Sequence, residues 1–542
     1  MTTGAGVPPL LRSPPFPGGG PAVSRAGAAG IVALPSSAEI NRVFAAIHEA
    51  EVGGGFWHPQ ADMAGRSIVV RARSNAEGDA LLAQREAVDR DSVFALLTAN
   101  TVDPWPLLKR AKGLFVHGDD EWAALAHIAG CPVHILSAGR FGAPGADEAT
   151  IRRAVALALF EPSYLDPFTG EDSTIEATIA QLADWRTMFA ANRDIVAACG
   201  IAWWKRREIA RFLWTPEHRL HFFRSERRAV AHAIRAHGAV AIWPSRVSSG
   251  IAEAARAKSV PLVRVEDGFV RSVGLGSQLV PPSSVAVDRL GIHYDPALPS
   301  DLEALLARGT FSSSLLERAV RLRQVILASG ISKYGGDADH PFPPRPQGQR
   351  VVLVPGQVED DMSVKLGGAG LASNLELLRR TRALEPNAEI WFRPHPDVDA
   401  GHRKGAVRDS DAALHADRVV RGGGMARLLE QVDAVHVLTS LTGFEALLRG
   451  REVTCHGMPF YAGWGLTRDL VTPSTRRTRR LTLDQLVAAV LILYPRYLDP
   501  VTSLPCPPEM LIRRMADGAA HNRQGWITRF REIQGWLRKK KS

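Results

Sequence analysis

The sequence predicts an α/β fold of doubly wound parallel sheets, with two Rossmann-like domains preceded by a degenerate Rossmann-like half-module. Three observations carry this. Short apolar runs alternate with helical stretches, which is the rhythm of parallel sheets covered by helices. Polar and acidic residues follow several of those runs directly, where open α/β sheets bind ligands. A long-period internal repeat joins the two ends of the chain, and its length points to duplicated modules rather than a solenoid.

Residues 1–29 are rich in Gly, Pro and Ala and hold few large apolar side chains, so they are expected to be a disordered tail. Residues 30–195 carry the first copy of the repeat. Pro162-Ser-Tyr-Leu-Asp-Pro-Phe-Thr169 matches Pro495-Arg-Tyr-Leu-Asp-Pro-Val-Thr502, and Ile68-Val-Val-Arg71 falls on Ile390-Trp-Phe-Arg393. Residues 113–133 lie over 433–453, pairing Gly130 with Gly450. The copies differ where chemistry would sit: Arg73, Asp120, Trp122 and Leu125 stand in the places of His395, Ser440, Thr442 and Glu445. The segment therefore reads as a decayed module that kept its scaffold and lost its site. A coincidental Rossmann-like segment is the other reading.

Residues 196–345 form the next expected domain, with strands at 239–244 and 261–265 around a helix at 251–258. Residues 346–510 form the last, with buried strands at 351–354, 389–393 and 434–439 and helices at 371–384 and 444–448. The polar, Pro-rich stretch 335–348 between them reads as a linker. Residues 511–542 read as a basic amphipathic helix. Trp526, Phe530, Ile533, Trp536 and Leu537 recur at helical spacing among seven Lys and Arg, a pattern for an anionic lipid surface or for packing back onto the protein.

Bulk properties narrow the function. Of 542 residues 45% are hydrophobic and 23% charged, an ordinary globular balance. The four cysteines stand at no metal-ligand or redox spacing, so neither a metal site nor a disulfide framework is expected. No secretory signal pattern and no apolar run of membrane-spanning length is visible, which leads to the expectation of a soluble protein. The net charge of +10 gathers at 476–480 (RRTRR) and the C-terminus without interleaved aromatics, favouring anionic lipid or substrate over nucleic acid.

Five segments carry chemical content. In Val265-Glu-Asp-Gly-Phe-Val-Arg271, Glu266 and Asp267 follow a strand; they supply carboxylates to a crevice, or cap a turn and pair with Arg271. In Pro355-Gly-Gln-Val-Glu-Asp-Asp-Met-Ser363, acidic residues on a strand-to-helix loop can provide a nucleophile or base, or merely favour a helix N-terminus. In Arg393-Pro-His-Pro-Asp397, Pro394 and Pro396 fix the backbone around His395, leaving an imidazole able to donate to phosphate. Thr439-Ser-Leu-Thr-Gly-Phe-Glu445 offers Ser440 and Thr442 hydroxyls and the Gly443 backbone as a phosphate cradle, with Glu445 within reach of a ribose diol. Ser440 also fits a plain N-cap. Pro459-Phe-Tyr-Ala-Gly-Trp-Gly-Leu-Thr467 is either a stacking loop for a base or sugar, or core aromatics under a loop.

These strings, with GIHYDPALPSDLE, EALLRG and LILYPRYLDP, resemble the KpsC family of retaining β-Kdo transferases over residues 203–505. The resemblance implies a GT-B fold and CMP-β-Kdo as donor substrate with no cofactor. It implies a phospholipid-linked or Kdo-lipid acceptor, and capsule biosynthesis and export proteins as partners at the cytoplasmic face of the inner membrane. It also implies double displacement through the aspartate of an Asp-x-Ser, which is Asp361 here, with Asp360 next in line. Glu266 becomes the general acid/base; His395, Pro396, Ser440, Thr442 and Gly443 hold the CMP phosphate and Glu445 the ribose. Arg271 and Arg393 become candidates for the Kdo carboxylate or the phosphate. Members commonly have Lys where Arg393 stands, and the first module here lacks both its EDGF-like and Asp-x-Ser segments. A single linkage is therefore expected. A noncatalytic export or sugar-binding scaffold, or a transferase for another CMP-activated ulosonic acid, are the alternatives.

Overall fold

The computed structural model describes residues 8–25, 34–61, 68–86, 94–98, 101–270, 280–331 and 342–518. Arg271, the first part of the expected linker and the aromatic-basic tail after 518 lie outside the described residues. The chain divides into two units, Met1–Asp194 with Trp214–Arg219, and Ile195–Leu213 with Leu220–Ser542. No helix among the described residues is long and apolar enough to cross a membrane.

The first unit is built on a four-stranded parallel sheet of β1 (Ile68–Arg71), β2 (Phe94–Leu97), β3 (Gly113–Val116) and β4 (Val133–Ile135), in the order β2-β1-β3-β4. Helix α1 (Trp122–Ala129) and helix α2 (Glu148–Phe160) follow β3 and β4, and the short strand β5 (Ser163–Leu165) closes the repeat segment. The expectation of a disordered tail over 1–29 fails for 8–25. Leu10, Leu11, Phe16 and Val23 are buried, Phe16 packs edge-on to Trp185 with centroids 4.9 Å apart, and Ser24–Arg25 pairs with β5. Four large apolar side chains suffice to fix a segment whose average composition reads as disordered.

The second unit holds two sheets. The first comprises β6 (Ile195–Cys199), β7 (His221–Phe223), β8 (Ala239–Ile242), β9 (Leu262–Asp267) and β10 (Ser284–Asp288), with β6 to β9 parallel and β10 antiparallel. The second is wholly parallel: β11 (Val351–Pro355), β12 (Glu389–Arg393), β13 (Arg418–Val419), β14 (Ala434–Val437), β15 (Glu452–Cys455) and β16 (Arg468–Asp469), in the order β13-β12-β11-β14-β15-β16. Its central strand β11 (VVLVP) is buried at every position, as a strand covered by helices on both faces must be.

The two sheets share one unit, and the last segment of the chain returns to the first of them. β17 (Pro495–Leu498) and β18 (Pro505–Cys506) join the first sheet, giving the order β18-β17-β10-β9-β8-β6-β7. One apolar cluster runs through both halves, from Phe269, Ala286 and Leu302 to Leu353, Val435 and Phe444. A helix is described at Pro508–Ala516, with Met510, Leu511, Ile512 and Met515 buried against the protein, and the Trp526–Leu537 part of the helix expected over 511–542 lies outside the described residues.

The repeat has a structural counterpart. The sheet order of the first unit is that of the second parallel sheet with β11 and the edge strand β16 removed: β2 corresponds to β13, β1 to β12, β3 to β14 and β4 to β15. Tyr164 donates to Leu159 O at 2.6 Å, and Tyr497 to Leu491 O at 2.7 Å. Asp166 accepts the Phe168 and Thr169 N–H groups as Asp499 accepts those of Val501 and Thr502. Among the described residues β11, the strand that leads into the Asp-x-Ser loop, has no counterpart in the first unit.

Candidate active site

Three strand ends of the second parallel sheet meet at one edge. After β11, Gly356 N donates to Arg393 O at 2.7 Å. A Cβ at Gly356 would lie 3.3 Å from both Arg393 O and His395 N, so glycine lets this loop press against the RPHP turn without pushing it back by a few tenths of an ångström. The next residue, buried Gln357, ties the loop to the end of β14: Nε2 donates to Thr439 Oγ1 at 3.0 Å, and Oε1 accepts from Thr439 N at 2.9 Å. The carboxylate loop, the histidine turn and the hydroxyl loop are thereby one assembly.

Asp361 caps helix α3 (Met362–Gly367). Its Oδ1 accepts from Ser363 N at 2.9 Å and from Ser363 Oγ at 2.8 Å. Oδ2 takes no hydrogen bond among the described residues, so the cap fixes the carboxylate and leaves one oxygen available. Asp360 is held differently. It pairs with Arg403 at 3.1 Å, and although burial pushes its pKa up, that guanidinium brings it below the usual value.

Facing Asp361 is the end of β9. The Glu266 carboxyl is pushed up to about 7, first by burial and then by the neighbouring Asp267 charge; Lys205 opposes the shift and Asp361 adds to it. Tyr294 Oη stands 3.5 Å from Glu266 Oε2, and burial together with the Glu266 and Asp361 charges raises its phenol. Asp267 is neutralised by buried Lys205 at 2.8 Å, and Lys205 Nζ sits 3.6 Å over the Trp243 ring. Tyr294 and Lys205 were not singled out from sequence. Lys205 ends an apolar strand-and-turn segment and Tyr294 sits in the GIHYD string, but only folding brings them to Glu266.

On the other side, His395 is the N-cap of a short turn, its Nδ1 accepting from Asp397 N at 3.2 Å. That bond places the proton of a neutral ring on Nε2, the donor that a phosphate oxygen requires. Pro396 opens the turn, where its missing N–H costs nothing. Ser440 caps helix α4 (Leu441–Leu448): its Oγ accepts from Thr442 N at 3.2 Å and donates to Thr442 Oγ1 at 3.1 Å. Cap and cradle coincide. A Cβ at Gly443 would fall 2.2 Å from Tyr461 Oη, whose hydroxyl binds Ser440 O. Glu445 is buried and shares a small pocket with Phe269 and Val270, directly beyond Glu266 in sequence.

Three expectations are corrected. Arg393 does not present its guanidinium to a ligand; the two terminal nitrogens bind the carbonyls of Gly422 and Gly423, bracing that turn. The aromatic loop is core: Tyr461 and Trp464 are fully buried, and Trp464 Nε1 donates to Phe460 O at 2.9 Å. The basic run 476–480 does not gather as a free anion site either. Arg476 and Arg477 bind Glu303 at 2.7 and 3.0 Å, and Arg477 also donates to Pro459 O and Ala462 O. Among the described residues no group of three or more His, Cys, Asp or Glu converges as a metal site.

A cavity of about 390 Å³ opens beside Asp361, between Trp204, Lys205, Trp243 and Arg246 in the turns that follow β6 and β8, and Asp360 with Met362 and Lys365 of α3. In the first unit the corresponding strand edge is filled. Asp120 caps Trp122 N at 2.9 Å as Ser440 caps Thr442, but it also pairs with Arg71 at 2.9 Å, and that guanidinium lies 4.6 Å over the Trp122 ring.

Two Rossmann-like sheets, a C-terminal segment returning to the first, and carboxylates facing a hydroxyl-histidine loop define an α/β protein of the GT-B type. The family model described as "Capsule polysaccharide biosynthesis protein" matches residues 238–343 and 338–497. The lipopolysaccharide-processing protein LpsZ of Rhizobium meliloti is 42% identical over 56% of this chain and 70% of its own. The capsule polysaccharide modification protein LipA of Neisseria meningitidis serogroup A is 42% identical over 62% of this chain and 48% of its own, so the chain spans about half that relative's length. The solved structure "Thermosulfurimonas dismutans KpsC, beta Kdo 2,4 transferase" is 34% identical with a TM-score of 0.51, covering 59% of this chain and 98% of the other. The chain belongs to this KpsC-type capsule polysaccharide biosynthesis family.

Proposed function

We propose that the chain is a retaining glycosyltransferase that moves β-Kdo from CMP-β-Kdo to a lipid or Kdo-lipid acceptor, at the cytoplasmic face of the inner membrane, in capsule linker synthesis. The observation that supports this reading is the pairing of a fixed carboxylate, Asp361, with Glu266, a carboxyl whose pKa is raised by burial, by Asp267 and by the Asp361 charge. Two carboxyl groups whose environments differ this way can divide nucleophile and proton-transfer roles.

In the first step Asp361 Oδ2 attacks the anomeric carbon, the bond to the CMP phosphate oxygen breaks, and the electron pair leaves with CMP. The Nε2 proton of His395 and the α4 N-terminus with Ser440 and Thr442 stabilise the departing phosphate. In the second step the acceptor hydroxyl oxygen attacks the same carbon, its proton passes to Glu266, and the bond to Asp361 breaks. Two inversions give net retention. CMP and the sugar donor are the only small molecules this scheme needs, and Glu445 serves the ribose.

The test is release of CMP from CMP-Kdo with a Kdo-lipid acceptor, with mass spectrometry of the product. Asp361→Ala is expected to abolish transfer while retaining CMP binding; near-normal turnover in that variant would remove Asp361 from the mechanism.

A further inference from the structure

The cavity beside Asp361 has a charge pattern that the scheme above leaves unused. Four cationic side chains line it, Lys205, Arg246, Lys365 and Arg403, against the carboxylates Asp360 and Asp361. Lys205 is neutralised by Asp267 at 2.8 Å and Arg403 by Asp360 at 3.1 Å. That leaves Arg246, at the end of β8, and Lys365, on α3, with no ion-pair partner among the described residues, and both are exposed. Arg246 thus stands without a partner charge among the described residues on one wall, and Lys365, whose charge also acts on Asp360, stands on α3. Half-buried Trp204 supplies an apolar surface between them. His395, Ser440, Thr442 and Glu445 do not line this space, so it is distinct from the nucleotide side. About 390 Å³ suits a single sugar ring rather than a nucleotide sugar.

We propose that this cavity is a subsite for a sugar ring bearing an anionic group, with Arg246 and Lys365 binding that group and Trp204 backing the ring. The assignment rests on the transferase reading only for the identity of the sugar. A guanidinium matches a carboxylate with two parallel donors, and an ammonium on the facing wall closes the other side. The pair also offsets the repulsion between an incoming carboxylate and Asp361. Two sources share this chemistry: the carboxylate of the transferred sugar, and that of an acidic sugar already on the acceptor.

The test is calorimetric titration of the full chain with the methyl glycoside of β-Kdo and with its neutral carboxamide. Wild-type protein is expected to bind the acid at least tenfold more tightly than the amide. Arg246→Gln and Lys365→Gln are each expected to lose about tenfold for the acid, while CMP affinity serves as the check that each variant is folded. Equal binding of acid and amide, or full affinity in both variants, would overturn the proposal. Steady-state rates separate the sources: a rise in acceptor KM alone assigns the site to the acceptor sugar, and a rise in donor KM alone to the transferred one. If no CMP is released at all, the transferase reading fails while the titration still decides the anion site.

Discussion

Gln357 grips Thr439 through both ends of its amide, donating from Nε2 at 3.0 Å and accepting at Oε1 at 2.9 Å. Its own backbone is held in turn by buried Asn374, which accepts Gln357 N at 2.9 Å and donates to Gln357 O at 2.7 Å. This is the joint between the loop carrying Asp361 and the loop carrying Ser440. Gln357→Leu would leave a buried N–H and a buried hydroxyl unpaired, a cost of about 2 kcal/mol. A urea midpoint lowered with an unchanged slope, together with weaker CMP binding, is the expected outcome. Wild-type values for both would show that the two loops are held independently.

Glu266 sets the pH dependence. As the base towards an acceptor hydroxyl it works ionised, so transfer is expected to fall as pH drops through about 7. Lys205 pulls its pKa down, so Lys205→Met moves that limb upward, whereas Glu266→Gln removes the limb with most of the activity. The stability sign is opposite to that of a salt-bridged carboxylate. The folded-state value lies above the ordinary 4.5, so the folded chain holds the proton more tightly and pays for ionising it as pH rises. Glu266→Gln should match wild type in urea titrations at pH 4 and exceed it at pH 8. A variant no more stable at pH 8 would mean that Glu266 ionises freely.

Much of this site was legible because apolar runs followed by Gly, Pro and acids mark the ligand edge of a parallel sheet. The roles that depend on partners far along the chain were not. Arg477 looks like part of a surface basic run until Glu303, distant in sequence, arrives to bind it at 3.0 Å. Trp464 and Tyr461 sit in a glycine-spaced loop whose pattern is the same whether it faces a ligand or the core; folding buries both completely. Lys205 lies in no motif, and the GIHYD string gave Tyr294 no role, because the significance of both is their distance from Asp267 and Glu266. In the tail, composition averaged over 1–29 concealed Leu10, Leu11, Phe16 and Val23, which are enough to anchor 8–25.

An acid-labile element, opposite in sign to Glu266, lies in the core. His436 on β14 and His456 directly after β15 are both buried, with Nδ1 of the first 3.1 Å from Nε2 of the second. Burial, then the nearby arginines, holds His436 down to about 4; burial, then the His436 charge and the arginines, holds His456 down to about 3. Arg350, Arg380 and Arg468 are the cations around them, and Glu385, 3.5 Å from His436 Nε2, is the facing carboxylate. Both folded values lie below the ordinary 6.5, so the unfolded chain binds the protons first and stability falls as pH drops from 6.5 towards 4. Each histidine adds a slope of about 1.4 kcal/mol per pH unit in that window. Replacing both, His436→Gln with His456→Gln, should flatten the loss between pH 7 and pH 5. Parallel curves for variant and wild type would assign the acid lability elsewhere.

The tightest steric demand at the proposed phosphate cradle is at Gly443. It lies in the first turn of α4, where the helix backbone passes under the Tyr461 hydroxyl, and that hydroxyl binds the carbonyl of the capping Ser440. A methyl group there would stand 2.2 Å from Tyr461 Oη. Tyr461 is fully buried and has nowhere to retreat, so Gly443→Ala must shift the helix start. A loss of about 1–3 kcal/mol in stability is expected, with CMP affinity reduced because Ser440 and Thr442 move with the turn. Removing the hydroxyl relieves only the worst contact, because the ring's Cζ and Cε2 still stand 2.7 and 2.9 Å from the added methyl; Gly443→Ala with Tyr461→Phe should therefore stay destabilised, having also lost the bond to Ser440 O. Gly443→Ala with wild-type stability and CMP affinity would mean that the turn yields without displacing the hydroxyls, and the cradle would then not depend on this contact.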